Sequence, residues 1–293
     1  KMRRPIFTGA GVAIVTPFTE EGPNYEVLAQ LCEWQIDSGT DAIIITGTTG
    51  EASTMPDAEH VDVIRECCDI VAGRVPVIAG TGSNDTAHAI NLAKMAEAAG
   101  ADALLCVTPY YNKATQDGLV QHFGATAENV DIPIILYNVP SRTNLNINPE
   151  TYLALAEHEN IVGIKECNIH QVAKTQALCD GAYDIYSGED ALVIPLMSLG
   201  GKGVISVAAN IIPGRIANMV HNWFDGNYEQ AQQEQIDLIH LIDILFCEVN
   251  PIPVKTALRL MGYDVGPCRL PLSELSPTNK SKLAYMLHEY GII

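Results

Sequence analysis

The chain is poor in basic charge. Its 293 residues carry 17 Lys and Arg against 35 Asp and Glu, a formal net charge of −18. Such a surface repels phosphate backbones and argues against nucleic acid as a partner. No apolar run approaches the roughly 20 residues that span a bilayer, so no membrane span is expected. The opening Lys1-Met2-Arg3-Arg4-Pro5 has no apolar core of the secretory-signal kind. None of the eight cysteines forms a C-x-x-C pair, and several lie inside apolar stretches. That usage fits free thiols in a reducing cytoplasm better than a disulfide framework. The eight histidines show no H-E-x-x-H or comparable zinc spacing. Nucleotide fingerprints are missing as well. Gly9-x-Gly11 has no third glycine at the required spacing. Gly200-Gly201-Lys202-Gly203 lacks the Lys-Ser/Thr ending of a P-loop and precedes a strand.

Apolar residues make up 47% of the chain and charged residues 18%, enough to bury a core and to exclude disorder. Short runs rich in Ile, Val and Leu at 12–15, 42–45, 75–78, 103–107, 132–137, 161–165, 182–186 and 204–207 read as strands buried on both faces. Amphipathic segments lie between them. Residues 24–38 place Val27, Leu28, Leu31 and Trp34 on one helical face. Residues 84–99 repeat the pattern with Gly100 as a stop, and Pro56 suits the first position of another helix. Eight β-then-α units predict an α/β fold, a closed (β/α)8 TIM barrel, with a doubly wound open sheet as the alternative. Helical patterns at 225–247, 252–261 and 278–290 exceed what the eighth barrel helix needs. The expected organisation is a catalytic barrel over residues 1–225 and a C-terminal helical extension over 226–293.

A barrel of this class carries its chemistry at the C-terminal ends of the strands. There the sequence reads Thr46-Gly47-Thr48-Thr49-Gly50-Glu51, Thr108-Pro109-Tyr110-Tyr111-Asn112, Tyr137-Asn138 followed by Val139-Pro140-Ser141-Arg142-Thr143, Lys165-Glu166, and Ser187-Gly188-Glu189-Asp190. Lys165 is one of nine lysines and ends an apolar strand. Alternation places Ile161, Gly163 and Lys165 on one face, with Gly163 making room for the lysine stem. A buried ammonium is costly, so its pKa should fall, and a neutral amine attacks carbonyls to form Schiff bases. The other reading is a structural lysine paired to a carboxylate. Tyr137 is either a proton shuttle beside that amine or a packed tyrosine. The Thr48-Thr49 loop either receives a carboxylate or caps a helix. Arg142 either binds a second carboxylate bidentately or lies on the surface.

Taken together and in order, these segments, with Gly163-Ile164-Lys165-Glu166 and Asn250-Pro251-Ile252-Pro253-Val254-Lys255, resemble the dihydrodipicolinate synthase family of pyruvate-dependent class I aldolases over about residues 7–271. The resemblance implies a barrel with a helical extension, a homotetramer, and a lyase of diaminopimelate and lysine biosynthesis that uses no metal or organic cofactor. By similarity, Lys165 forms the Schiff base with pyruvate and Tyr137 moves protons. Thr48 links Tyr137 to Tyr111, which reaches across from a partner subunit. Thr49, with backbone near Ile205, holds the pyruvate carboxylate, and Gly188 lies beside the substrate. Arg142 holds the carboxylate of L-aspartate 4-semialdehyde. Sibling aldolases acting on N-acetylneuraminate or 2-keto-3-deoxy sugar acids share the lysine and tyrosine but generally lack this arginine. A non-enzymatic relative would have lost a catalytic group, and here all are present. At the family's lysine-effector site His60, Asn84 and Tyr110 match in type. Asp57 and His88 stand where inhibited members carry a histidine and a glutamate, and Ala52 replaces a serine. The implied lysine inhibition is weak or absent. Cys167 replaces the usual alanine, which reads as a small core substitution.

Overall fold

The computed structural model describes residues 5–293, so the reading of Lys1–Arg4 lies outside the described residues. Eight parallel strands close on themselves: β1 (Gly9–Ala13), β4 (Ala42–Ile45), β5 (Val77–Gly80), β6 (Ala103–Val107), β7 (Ile134–Asn138), β8 (Ile161–Glu166), β9 (Asp184–Ser187) and β10 (Gly203–Ser206). The intervening β2 (Phe18–Thr19) and β3 (Gly22–Pro23) form a small antiparallel pair outside the barrel. Closure is explicit, because β1 pairs with both β4 and β10. A doubly wound sheet would leave two edges, and that alternative is excluded.

The strand at 12–15 is displaced to Gly9–Ala13. An apolar-run criterion passes over Gly9-Ala10-Gly11, yet small residues are needed there. A Cβ on Gly11 would stand 2.7 Å from Ile44 Cδ1 and 3.0 Å from Phe7 Cζ inside the barrel. The helical pattern at 225–247 divides into Tyr228–Asp237 and Ile239–Leu245. The junction is the fully buried Leu238, and no Gly or Pro announces it.

Two apolar clusters hold the fold. An interior cluster fills the barrel with Ala42, Ile44, Ile78, Leu105, Ile135, Tyr186 and Ile205. The larger one lies between strands and helices, and it continues into Leu241, Leu245, Leu283 and Leu287 of the C-terminal helices. Each such leucine contributes roughly 1.5–3 kcal/mol relative to exposure.

The β7–β8 ladder carries an irregularity that aims the site. Ile134 pairs with Ile161, but the next pair is Ile135 with Gly163, so β8 advances two residues against one. Ile161 therefore joins the outer cluster rather than sharing the lumen face with Lys165 as alternation predicted. Beyond the irregularity, Gly163 pairs with Ile135 and Lys165 with Tyr137. A Cβ at Gly163 would stand 3.1 Å from the Asp184 carbonyl oxygen and 3.2 Å from Ile135 Cγ1. The glycine thus accommodates both neighbouring strands rather than the lysine stem.

Candidate active site

At the C-terminal mouth of the barrel is a cavity of about 900 Å³, lined among others by Thr48, Thr49, Tyr137, Arg142, Lys165 and Gly188. Of the residues singled out from the sequence, these six are brought together. Lys165 is buried, in register between Tyr137 and Tyr186. Its Nζ lies 4.1 Å from the centroid of the Tyr137 ring. Burial pushes its pKa below the ordinary lysine value, while Cys167 and Asp190 pull the other way. Lys174 and Lys255 are ion-paired, whereas Lys165 takes part in no ion pair among the described residues. Tyr186 packs in the interior cluster and donates its hydroxyl to the Phe7 carbonyl at 2.6 Å. Burial holds the Tyr137 phenol well above its usual range, against a hydrogen bond with Thr48 and the charge of Arg142. That phenol keeps its proton at neutral pH and can donate it.

The Gly-Thr-Thr-Gly loop is tied from both ends. Thr46 and Glu51 adopt left-handed backbone at φ 52° and 59°. Thr46 Oγ1 reaches the Gly80 carbonyl at 3.1 Å. Glu51 accepts from Lys255 Nζ at 2.6 Å and from the Arg269 backbone N–H at 2.8 Å. Thr49 is buried and accepts from Asn250 Nδ2 at 2.9 Å, while Thr48 is exposed to the cavity. Arg142 sits in the short helix Pro140–Thr143 and donates to the Asn250 carbonyl at 3.3 Å. Arg65, Arg74, Arg215, Arg259 and Arg269 each pair with a carboxylate. Arg142 alone among the described arginines pairs with none. In a chain of charge −18, a free guanidinium at a cavity mouth is a ready anion receptor. Gly188 is fixed by crowding, since a Cβ there would stand 2.4 Å from Cys167 Sγ and 3.3 Å from Lys165 Cγ.

Two expected residues are not walls of this cavity. Ile205 is buried in the interior cluster and is not a wall of the cavity; Val207, two residues on, is. Tyr111 is 92% exposed, at φ 71°, outside the cavity of its own chain. Other residues were missed. Asp190 is buried at the cavity wall, accepting from Ser206 Oγ and, at 3.0 Å each, from the Val207 and Ala208 backbone N–H groups. Asn250 arrives from the C-terminal helices to bridge Thr49 and Arg142. Both lie within segments that carry the resemblance, which was the available signal.

The effector candidates fall at a second cavity of about 350 Å³ that shares Thr48, Tyr137 and Arg142 with the first. His60 and Tyr110 line it. Asn84 is not a wall, but donates to the Tyr110 carbonyl at 3.0 Å. His60 Nε2 lies 2.7 Å from the Gly80 carbonyl, and burial lowers its pKa. His88 bridges Asp57 at 2.9 Å and Ser83 at 3.0 Å.

A buried, unpaired amine beside a protonated phenol at the mouth of a (β/α)8 barrel defines a class: barrel enzymes that work through a lysine Schiff base. A model of the dihydrodipicolinate synthetase family matches residues 6–290, and the chain belongs to that family. It is 59% identical over 292 residues to the 4-hydroxy-tetrahydrodipicolinate synthase of Acetivibrio thermocellus, with 100% of each chain covered. The chloride-inhibited dihydrodipicolinate synthase of Acinetobacter baumannii, solved as its pyruvate complex, superposes with a TM-score of 0.95 at 45% identity, covering 98% of this chain and 99% of that one. The enzyme of Cyanidioschyzon merolae, solved with lysine bound, gives 0.95 at 40% identity over 99% and 100%.

Proposed function

We propose that this chain is a lyase that condenses pyruvate with L-aspartate 4-semialdehyde to 4-hydroxy-tetrahydrodipicolinate, the first committed step towards diaminopimelate and lysine. One observation carries the reading. The cavity holds one buried amine and one guanidinium, Lys165 and Arg142, neither of them ion-paired among the described residues. That is the equipment for a carbonyl and for a carboxylate on a second substrate. The unpaired arginine favours this reading over sibling aldolases, whose sugar-acid acceptors call for hydroxyl recognition.

In this reading the free amine of Lys165 attacks the pyruvate carbonyl carbon. The carbinolamine loses water as Tyr137 supplies the proton. The resulting iminium draws electrons from the methyl group, which gives up a proton and becomes an enamine. The enamine carbon attacks the aldehyde, forming the C–C bond. The semialdehyde's amino group then attacks the imine carbon and expels Lys165 as a free amine. The iminium itself is the electron sink, so the reaction calls for no metal or organic cofactor. The pyruvate carboxylate sits on the Thr49 loop, and the semialdehyde carboxylate on Arg142. Thr48 relays protons between Tyr137 and the partner's Tyr111. Tyr111, 92% exposed and outside its own cavity, suits a residue that serves a neighbour in a homotetramer. No helix of the described residues is long and apolar enough to cross a membrane, and a cytoplasmic enzyme is the accompanying proposal.

The test is turnover with pyruvate and L-aspartate 4-semialdehyde, coupled to a dipicolinate reductase that consumes reduced nicotinamide. A rate dependent on both substrates is expected. No rate, with borohydride trapping of pyruvate intact, would move the chain to the sibling aldolases.

A further inference from the structure

Asn250 lines the cavity and is 6% exposed, yet its Oδ1 has no hydrogen-bond partner among the described residues. A buried amide oxygen left unmatched costs free energy, so it calls for a donor. Two other atoms of the residue are engaged. Nδ2 donates to Thr49 Oγ1 at 2.9 Å, and the backbone carbonyl accepts from Arg142 at 3.3 Å. The first contact has a directional consequence. A hydroxyl that accepts from an amide turns its own proton elsewhere, here leaving the Thr49 proton free for an anion. Asn250 thus touches both groups that hold carboxylates in the proposed function, and its buried Oδ1 is left as an unmatched acceptor. Glu189 and Asp243 line the same cavity.

We infer that Asn250 is a substrate-positioning and specificity residue: it orients Thr49 toward the first substrate's carboxylate, and its Oδ1 accepts from the ammonium of an α-amino aldehyde held by Arg142. The inference rests on the proposed function and adds a reason for its selectivity. Among aldehydes of equal length with a carboxylate at one end, the one bearing an amine is preferred, because only that one satisfies Oδ1.

The test compares L-aspartate 4-semialdehyde with succinate semialdehyde, the same skeleton without the amine and used as a competitor. Asn250→Leu removes both contacts. Its KM for the amino aldehyde is expected to rise about tenfold, the scale of one charge-assisted hydrogen bond. Inhibition by succinate semialdehyde should change far less. Asn250→Asp keeps an acceptor but removes the donor to Thr49. Its pyruvate KM is expected to rise about tenfold, with the amino-aldehyde KM held within about threefold. A cooperative urea-unfolding transition, read without substrate, checks that each variant is folded, and trapping is read at saturating pyruvate. If the leucine variant is not folded, the aspartate variant decides alone. The inference is overturned if a trapping-competent leucine variant discriminates between the two aldehydes as the parent does, or if the aspartate variant leaves pyruvate KM unchanged. Absence of turnover in the unsubstituted chain would strike the proposed function instead, so the two failures are separable.

Discussion

Two of the described lysines are buried, and they face opposite surroundings. Lys255, in the helix Ile252–Leu260, is 1% exposed. Its ammonium meets Glu51 at 2.6 Å and the Pro267 carbonyl at 3.2 Å, over the ring of Phe18. Lys165 is 6% exposed, lies over the face of Tyr137 at 4.1 Å, and opens onto a cavity. Burial lowers the pKa of both. Low pKa therefore does not separate a nucleophile from a strut. What separates them is a partner for the proton and a path to the nitrogen. Glu51 pulls the Lys255 pKa back up and ties the C-terminal helices to the Thr48-Thr49 loop. Asp190 acts on Lys165 only through space, Lys165 makes no ion pair among the described residues, and its lone pair has somewhere to go.

Replacing each lysine with methionine should split these roles. Lys165→Met should abolish borohydride-trapped pyruvate and lower turnover at least roughly a thousandfold, about 4 kcal/mol of barrier. It should also be more stable than the parent at neutral pH. A lysine whose folded pKa lies below its unfolded value of 10.5 destabilises the fold fully at pH below the folded value. That cost shrinks as pH rises and vanishes above the unfolded value. The stability gained by Lys165→Met, read from urea unfolding, should therefore fade with rising pH. In the parent, imine formation should quicken with pH and level off before an ordinary lysine would. An unfolded Lys165→Met would break the contrast. Lys255→Met should do the reverse, destabilising by about 3–5 kcal/mol because Glu51 is left as a buried unpaired charge. Adding Glu51→Gln should recover part of the loss. Pyruvate trapping in either variant should follow the folded fraction. A Lys255→Met protein of unchanged stability would show that the pair does not hold the loop.

The same contrast explains what was legible in advance. Lys165 stood out because a charged residue closing an apolar strand is a local pattern, and Tyr137 and Arg142 followed from the same strand-end rule. Closure into a barrel was legible from eight repeated units. Lys255 was visible only as part of a motif, because its partner lies 204 residues away, and Asn250 meets Thr49 across 201. No periodicity encodes such a contact. The β8 irregularity was equally silent, since Ile161-Val162-Gly163 satisfies strict alternation and only the pairing with β7 breaks it. The backbone near Ile205 was expected beside a carboxylate. The Ile205 side chain packs in the interior cluster with Tyr137, and Val207, just past the end of β10 at Ser206, lines the cavity.

A smaller effect sharpens the comparison on the substrate side. Arg142→Met should raise the KM for L-aspartate 4-semialdehyde about 10- to 100-fold, the range for losing charge-assisted hydrogen bonds to a carboxylate. Pyruvate trapping should stay within about twofold, because the arginine meets the second substrate. A loss of trapping equal to that of Lys165→Met would place Arg142 in imine formation instead. Arg142→Lys should recover only part of the affinity, since an ammonium cannot bind both oxygens in parallel.

The smallest expected effect concerns free lysine as a ligand of the second cavity. A bound lysine carries two ammonium groups and needs carboxylates that are not already engaged. Asp57 is the carboxylate on that wall, and it is occupied by His88 at 2.9 Å, whose other ring nitrogen meets Ser83 at 3.0 Å. Added L-lysine should therefore change turnover by less than about twofold, the effect of at most a few tenths of a kcal/mol at the site. His88→Glu returns a carboxylate to the wall and releases Asp57, so it should increase the response to lysine. Potent inhibition of the unsubstituted chain would mean that Asp57 exchanges His88 for the ligand, and the ion pair would then be a gate rather than a block.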